Sequence, residues 1–392
     1  MKKIAKLSLV AAAAVVGLST TANAQALENA IKDVDVSGSV VYRYNDYNND
    51  EAGTSDANSN NYKIGLNLSS KVNEDLKFNS RFIVGGADSG FASLDAGSAS
   101  DGNVDVTLSN VYFGYTGISN TTVNVGKQGL TTPWTVAIDS DGNEQTGTGV
   151  LALSTVGPVT LAAAYFNQSN LDTSSDAKLG TTKVSTVIDG SDDIVTVGAI
   201  VAAGPVTMDA WYIDVQDIAD SYTIGAKANF DLSGASVGID ARYASLDLDD
   251  SNIDNDIFKV KLTGKMGIFN AKVLYAMTND EGGLTALDND AVTTVNGWST
   301  TVNGKADADY WQTTLGVNAL SNLNISANYN NVDYVQGSDD MEEEELYAQF
   351  TYKMSKNFTT YVRYGTYTKE NNTTNTDIND DVRGRLQVQY TF

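Results

Sequence analysis

The 392-residue sequence contains no cysteine and no histidine, and it has only 3 prolines. Without cysteine there is neither a disulfide bond nor a thiolate metal site. Without histidine the commonest general base, the Ser-His-Asp triad and the usual zinc ligands are all missing. An enzyme, and in particular a lipase or protease, is therefore a poor explanation of this sequence. We expect a protein that performs no covalent chemistry.

Basic residues are also scarce, with 25 Lys and Arg against 49 Asp and Glu and a net charge of −24. This charge argues against a nucleic-acid partner, because phosphates require a basic face. It suits attraction of cations, including divalent metals. The acids of 139–144 resemble the start of a calcium loop, but Gly142 falls at the fourth position instead of the sixth. We expect no cofactor other than Ca²⁺ or Mg²⁺ at acidic sites, and the sequence does not identify the residues that would bind these ions.

Long apolar runs are absent as well, because no stretch after the first 24 residues has about eighteen consecutive apolar residues. Membrane-spanning helices are thereby excluded. Residues 1–24 form an export signal, with three early lysines, a mostly apolar run at 7–18 and the cleavage pattern Ala22-Asn23-Ala24. We predict a signal peptide at 1–24 and one mature domain at 25–392. Loss of the three lysines changes the net charge from −24 to −27.

The sequence does contain a regular two-residue alternation of apolar and polar side chains. It begins at Val34 and recurs in eighteen segments, which is the pattern of β-strands with one apolar and one polar face. Short links such as Gly157-Pro158 alternate along most of the chain with longer polar links such as 129–146, 279–304 and 370–380. This asymmetry is typical of periplasmic turns and outer loops. Another acidic stretch, Asp339–Glu345, is interpreted as a solvated loop at which divalent cations could bridge to lipopolysaccharide.

The final strand supports closure of these strands into a barrel. Its apolar face consists of Leu386, Val388, Tyr390 and Phe392. A free strand of this kind would be an unprotected edge, whereas in a barrel it pairs with the first strand. We therefore predict an all-β fold, a transmembrane antiparallel β-barrel of about 18 strands in the outer membrane of a Gram-negative bacterium.

One segment does not follow the alternation. Between residues 104 and 115, two sets of apolar side chains compete: Val104, Val106, Leu108 and Tyr112 share one parity, and Val111, Phe113 and Tyr115 share the other. A β-bulge would explain the change, and so would a strand buried between subunits. The sequence leaves both explanations open.

The third long link is too apolar for a solvated loop, because Trp134, Val136 and Ile138 need something to pack against. We predict that it folds into the lumen, with Trp134 as its anchor. Asp139, Asp141 and Glu144 would then lie at the narrowest part of the channel. The alternative is an outer loop whose tryptophan contacts a neighbouring subunit.

Cationic side chains on polar strand faces are predicted to line the lumen, because a charge facing lipid is costly. They are Arg43, Lys63, Arg81, Arg242, Arg363, Arg383 and Arg385. Acids on the third loop opposite these cations would create a transverse field that sorts solutes by charge. Some of the cations could equally form ion pairs that brace the wall.

Three parts of the sequence resemble the major outer membrane porin family of Campylobacter and related bacteria. They are residues 26–38 with Tyr42-Arg43-Tyr44, then Gly126-Lys127-Gln128 with Trp134, 137–139 and 147–150, and the closing strand. The resemblance implies an eighteen-stranded trimeric porin with an inward third loop and a preference for cations. The outer loops look shorter than in that family, and the central sequence diverges. The roles of the family's pore residues are therefore assigned only to Arg43 and Asp139.

The functional prediction is a water-filled channel for passive diffusion of small hydrophilic solutes and ions, with the preference for cations that the resemblance implies. The alternatives are a solute-specific channel and a surface adhesin or structural barrel. Expected partners are outer-membrane lipid and lipopolysaccharide, the barrel-assembly machinery through the C-terminal strand, and two further copies in a homotrimer.

Overall fold

A computed structural model describes residues 34–49, 57–86, 90–94, 106–173, 178–179, 182–183 and 188–392. The signal peptide predicted at 1–24 lies outside these residues and stays a prediction. In the described part of the chain, no helix is long and apolar enough to cross a membrane.

Long antiparallel strands make up most of the described residues. Leaving aside three two-residue strands, there are eighteen. They are β1 (Val34–Asn49), β2 (Ala57–Lys71), β3 (Leu76–Val84), β4 (Val106–Ile118), β5 (Thr121–Gly129), β6 (Thr146–Val156), β7 (Val159–Ser169), β8 (Ile194–Ala203), β9 (Val206–Val215), β10 (Ala219–Leu232), β11 (Ala235–Leu248), β12 (Asn255–Met266), β13 (Phe269–Thr278), β14 (Ala306–Leu320), β15 (Leu323–Gln336), β16 (Asp339–Ser355), β17 (Phe358–Asn371) and β18 (Thr376–Thr391). Each corresponds to one predicted strand.

The sheet closes on itself because the last strand pairs with the first. Tyr42 of β1 lies opposite Val388 of β18. The backbones of Gly38 and Phe392 exchange two hydrogen bonds, at 2.9 and 3.0 Å. Every strand also pairs with its neighbour in sequence. No long strand is left as a free edge among the described residues, and the predicted eighteen-stranded barrel is confirmed.

The two faces of the wall have opposite character. Large apolar side chains stand exposed on the outer face, for example Val156 at 68%, Leu315 at 60% and Ile224 at 58% exposure. The inner face carries buried polar residues such as Arg43 and Lys63, each 5% exposed. A water-soluble protein would not expose such a continuous apolar belt. The distribution fits a barrel with lipid outside and water inside.

The connections alternate in length, as predicted along most of the chain. Two-residue turns such as Gly157-Pro158 and Gly204-Pro205 lie at one end, and both glycines have the positive φ that tight hairpins require. At the opposite end, the third connection (residues 130–145, called L3) and the seventh (residues 279–305, called L7) are long.

Two loop predictions are wrong. The link expected at 370–380 is a four-residue turn, because β17 continues to Asn371 and β18 begins at Thr376. The acidic stretch Asp339–Glu345 is no solvated loop but the start of β16. Glu343 and Glu345 point inward and are 5% and 1% exposed. Both carboxylates find hydrogen-bond donors inside the barrel, so a strand there tolerates the charge.

The change of parity in β4 is a β-bulge. Arg81 of β3 pairs with Asn110 but the next residue, Phe82, pairs with Leu108, which leaves Ser109 as an extra residue. The apolar side chains on both sides of the bulge therefore face outward, with Leu108 at 42% and Phe113 at 46% exposure. Ser109 itself is 2% exposed. Of the two explanations that the sequence left open, the structure shows the bulge.

The apolar cores lie inside the barrel, between the loops and the inner wall. One contains Leu130 and Trp134 of L3, Leu284 and Leu287 of L7, and wall residues such as Phe166. The other packs Val295 and Val302 of L7 against Ile257, Tyr310 and Val332 of the wall. Each fully buried side chain of this size contributes about 1.5–3 kcal/mol. L3 and L7 are thus folded parts of the barrel interior.

Candidate pore constriction

L3 folds into the lumen around Trp134. The side chain of Trp134 is fully buried, and its Nε1 donates to Ser221 Oγ of β10 at 2.6 Å. Leu130, at the start of the loop, is 1% exposed, and its backbone N–H donates to Gln145 O at 2.9 Å. These contacts place the anchor predicted from sequence against the inner wall and close the base of the loop.

Asp139 organises the tip of L3. Its Oδ1 accepts from the backbone N of Asn143 at 2.8 Å, and its Oδ2 accepts from Asn143 Nδ2 at 2.8 Å. Its exposure is only 7%. A carboxylate that closes a local turn in this way fixes the backbone more than it presents charge to water.

Glu144 is the buried centre of an ionic cluster. Its Oε1 lies 2.7 Å from Lys63 Nζ and 2.8 Å from Arg81 Nη2, and its Oε2 accepts from Ser109 Oγ at 2.5 Å. The Glu144 side chain is 1% exposed. Burial by itself would raise the pKa of Glu144, but the hydrogen bonds and charges of Arg81 and Lys63 outweigh it and hold that pKa below its usual range. The cluster fastens L3 to β2, β3 and β4.

Asp141 is the acid of L3 that stays accessible, with 58% of its side chain exposed. Its Oδ1 lies 2.9 Å from Arg43 Nη1 and 3.4 Å from Arg385 Nη1. Arg43 also donates to Ser140 O at 2.7 Å, and its guanidinium lies 4.2 Å from the centre of the Phe91 ring. The arginines of β1 and β18 therefore contact the tip of L3 directly. These ion pairs attach the loop to the wall and set an acid of L3 opposite two cations.

L7 is a second inward loop, which the sequence reasoning treated as an ordinary outer link. It hydrogen-bonds along L3: Leu287 N donates to Trp134 O at 2.9 Å, and Gln145 Nε2 donates to Leu287 O at 2.7 Å. Ser140 N donates to Asp290 Oδ2 at 2.5 Å. The signal that could have found L7 was the one used for L3, because Leu284, Val295, Trp298 and Val302 are too apolar for a solvated link.

Two wall residues hold L7 in place. Glu345 of β16 accepts from the backbone N of Trp298 and of Ser299, both at 2.7 Å, and from Thr300 Oγ1 at 3.2 Å. On the other side, Lys259 of β12 donates to Thr294 O at 2.7 Å. The glutamate stretch misread as a solvated loop thus supplies the main anchor of L7.

The indole of Trp298 brings L7 to the arginines of the wall. Its ring lies edge-on to Tyr347, with ring centres 5.3 Å apart. The guanidinium of Arg363 is 5.0 Å from the Trp298 ring centre, and that of Arg385 is 5.8 Å away. Arg385 therefore contacts both Asp141 of L3 and Trp298 of L7. The two loops and the wall meet at this residue, which defines the candidate constriction.

Asp288 adds a titratable group to the surface where L3 and L7 meet. It is 1% exposed, and burial raises its pKa to about 7. The backbone N–H of Asp290 opposes this shift, while the negative charges of Asp139, Asp290 and Asp141 reinforce it. This carboxyl consequently changes charge near neutral pH, unlike an ordinary aspartate.

The other two predicted wall cations pair with acids of the wall. Arg242 of β11 pairs with Asp209 of β9 at 2.8 Å. Arg383 pairs with Asp381 on its own strand and lies 4.0 Å from the Tyr367 ring centre. In the part of the chain that the structure describes, no group of three or more acidic residues is arranged to hold a metal ion. Ca²⁺ or Mg²⁺ binding remains a prediction.

A family model described as the Campylobacter major outer membrane protein matches residues 1–392. No curated protein matches the sequence. Similar crystal structures include OpdL of Pseudomonas aeruginosa, which is 18% identical and has a TM-score of 0.73. The match covers 92% of this chain and 99% of the OpdL chain. A BenF-like porin of Pseudomonas fluorescens Pf-5 has 15% identity, a TM-score of 0.72 and the same coverage. OccAB3 of Acinetobacter baumannii has 14% identity, a TM-score of 0.74 and the same coverage.

Proposed function

This chain belongs to the Campylobacter major outer membrane protein family, and from that premise we propose that it is a diffusion porin with a preference for cations. The membership establishes an outer-membrane β-barrel channel of a Gram-negative bacterium and confirms the resemblance found in the sequence. A channel, not an enzyme, is what this family supports. The proposal adds that small hydrophilic solutes and ions pass by passive diffusion through the space left by L3 and L7.

One observation carries the proposal: two loops with charged tips are folded inside a closed barrel. L3 and L7 narrow the lumen without leaving it, because both are hydrogen-bonded to each other and to the wall. Water-accessible charge at the constriction comes from Asp141, whose side chain is 58% exposed and lies against the largely buried guanidinium groups of Arg43 and Arg385. Such a charged ring sorts permeating ions by sign.

The preference for cations is supported by the balance of charge. The protein carries a net charge of −24. Where L3 and L7 meet, Asp290 lies beside Asp288, which becomes negative near neutral pH, whereas Arg43 and Arg385 are engaged with Asp141. The negative field of the whole protein raises the local concentration of cations at the channel mouth.

The proposal is tested by single-channel recording in planar bilayers under a KCl gradient. We expect ohmic, multi-level conductance and a reversal potential on the cation-selective side. Asp141→Asn should shift the reversal potential towards zero, because it removes an exposed charge without breaking the Glu144 cluster. Asp75→Asn, in the exposed turn between β2 and β3, is the matched control. A protein that inserts without conducting would refute the channel, and an unchanged reversal potential in Asp141→Asn would remove L3 from ion selection.

A solute-specific channel is the second candidate, favoured by the grouping of Arg363 and Arg385 around Trp298. Guanidinium groups next to an indole can hold an anionic or aromatic solute at the narrowest point. Block of the current by one solute at low concentration, with no block by its neutral analogue, would favour this candidate over general diffusion.

The homotrimer is proposed on the family resemblance alone, contact with lipopolysaccharide on the acidic residues from Asp339 onward, and use of the barrel-assembly machinery on the C-terminal strand. Chemical cross-linking of the detergent-extracted protein tests the trimer. A single band at the mass of the monomer would contradict it.

A further inference from the structure

A cavity of about 650 Å³ lies on the outer side of the constriction. It is bounded by the stem of L7, by the turn between β15 and β16 and by β17. β16 starts at that outer turn, so Glu343 in the cavity wall lies further out than Glu345, which anchors Trp298. A solute entering from outside would meet this cavity before it reached Trp298 and Arg385.

One wall of the cavity holds two lysines that share one carboxylate. Lys305 Nζ lies 2.7 Å from Glu343 Oε2, and Lys369 Nζ lies 3.3 Å from Glu343 Oε1. The hydroxyl of Tyr334 also donates to Glu343 Oε1, at 2.9 Å. The Glu343 side chain is 6% exposed, and both ammonium groups lie near the Tyr334 ring, at 4.3 and 5.8 Å from its centre.

This arrangement saturates the carboxylate but leaves the lysines with hydrogen-bonding capacity. An ammonium group carries three N–H donors. Glu343 is the one acceptor seen for Lys305 and for Lys369 among the described residues. Two cations against one buried anion leave a local excess of one positive charge. A second carboxylate, supplied by a solute, would neutralise that charge and use the free donors.

The remaining walls are polar but mostly uncharged. Ser299 and Thr301 of L7 line the cavity together with Gln336 of β15, whereas the amide of Asn303 is already used by hydrogen bonds within L7. Hydroxyl and amide groups both donate and accept, so they complement hydroxyl groups of a solute. Glu281, the other acid at the cavity, is exposed and therefore screened by water.

We propose that this cavity is a binding subsite for a small hydroxylated carboxylate, such as a sugar acid. The carboxylate lies against Lys305 and Lys369, and the hydroxyl groups face Ser299, Thr301 and Gln336. The subsite rests on the proposed channel function, because it holds the solute in the outer half of the same lumen. It concentrates one class of anion in front of a constriction that otherwise favours cations.

The test is single-channel recording in KCl with gluconate as the probe and sorbitol as its neutral analogue. Gluconate should interrupt the current in a concentration-dependent manner and more strongly from one side of the bilayer, whereas sorbitol should not. Lys369→Gln should raise the half-blocking concentration about tenfold, because one charge-assisted hydrogen bond is lost. It leaves the Lys305–Glu343 pair in place, so the barrel should still assemble. Lys356→Gln, exposed in the turn between β16 and β17, makes the same charge change at the other end and should have no effect.

The outcomes separate the subsite from the channel. Equal half-blocking concentrations in wild type and Lys369→Gln would overturn the subsite, as would equal block by gluconate and sorbitol or no block by gluconate. In each case normal KCl conductance would leave the proposed porin intact. If Lys369→Gln does not assemble, calorimetric titration of the detergent-solubilised wild type decides: gluconate binding without sorbitol binding supports the subsite, and no gluconate binding overturns it.

Discussion

The hydroxyl of Ser109 donates to Oε2 of Glu144 across 2.5 Å, which joins the bulge of β4 to the base of L3. Ser109 can do so because it is the extra residue of the bulge and points inward. Bulges often redirect a side chain next to a functional site. Here the irregularity in the wall and the position of the inward loop are parts of one arrangement.

Deletion of Ser109 should leave a barrel that still assembles. Removing the extra residue makes the alternation of β4 regular and keeps Leu108 and Val111 facing outward. Deletion of Val260 should prevent assembly, because β12 has no bulge, and Lys261 would turn towards lipid. The shift in electrophoretic mobility between heated and unheated samples measures assembly. Assembly of both deletion variants would contradict the argument.

Glu144→Gln should destabilise the protein far more than Asp141→Asn does. The first substitution leaves Lys63 and Arg81 buried without their counter-charge, which costs about 3–5 kcal/mol. The second removes a largely exposed carboxylate, and exposed pairs contribute about 0–1 kcal/mol. Urea unfolding in detergent micelles gives both differences. Equal losses of stability would show that Glu144 is not the centre of the cluster.

The same carboxylate should make L3 sensitive to acid. Because the pKa of Glu144 is lowered in the folded protein, its stabilising contribution is complete above the unfolded value of about 4.5 and is lost as the pH falls through the lowered pKa. The urea concentration at the midpoint of unfolding should therefore decrease in the wild type when the pH is lowered from 5 to 3. Glu144→Gln should lose this part of the pH dependence, and a curve parallel to that of the wild type would contradict the assignment.

Ion selectivity should change near neutral pH because of Asp288, whose pKa burial raises to about 7. Below that pH the group is neutral, and above it one more negative charge stands between L3 and L7. Cation selectivity should rise between pH 6 and pH 8, measured as the reversal potential under a fixed KCl gradient. Asp288→Asn should abolish the step. A step that persists in this variant would assign it to another group.

Glu345→Gln should loosen L7. In Glu345 the two carboxylate oxygens accept separately from the backbone N–H groups of Trp298 and Ser299. An amide has only one acceptor oxygen, so one of these two hydrogen bonds is lost. We expect increased current noise and a higher mean conductance. The control is Glu344→Gln, whose side chain lies on the opposite face of β16, where it accepts from the hydroxyl of Tyr329 at 2.8 Å. Equal noise in the two variants would show that Glu345 does not hold the loop.

The barrel itself was readable from the sequence. Strand alternation depends on each residue and its near neighbours, so Val34 and its successors predict eighteen strands without knowledge of the fold. The errors came where local pattern and tertiary contact compete. Asp339–Glu345 reads as a solvated loop by composition, yet Glu345 finds three donors on L7. L7 was missed because its polar residues hid the spacing of Leu284, Val295 and Trp298.

The sequence alone determined which residues face lipid and which face the lumen, that the ends meet, and that L3 needs an apolar surface to pack on. Only the tertiary structure decided which acid does what. Asp139, Asp141 and Glu144 lie within six residues of one another, but one closes a turn, one is exposed and one is buried with two cations. The physical reason is that Asp139 is held by Asn143, four residues away, whereas the roles of Asp141 and Glu144 are set by partners 35 to 244 residues away, which local pattern does not encode.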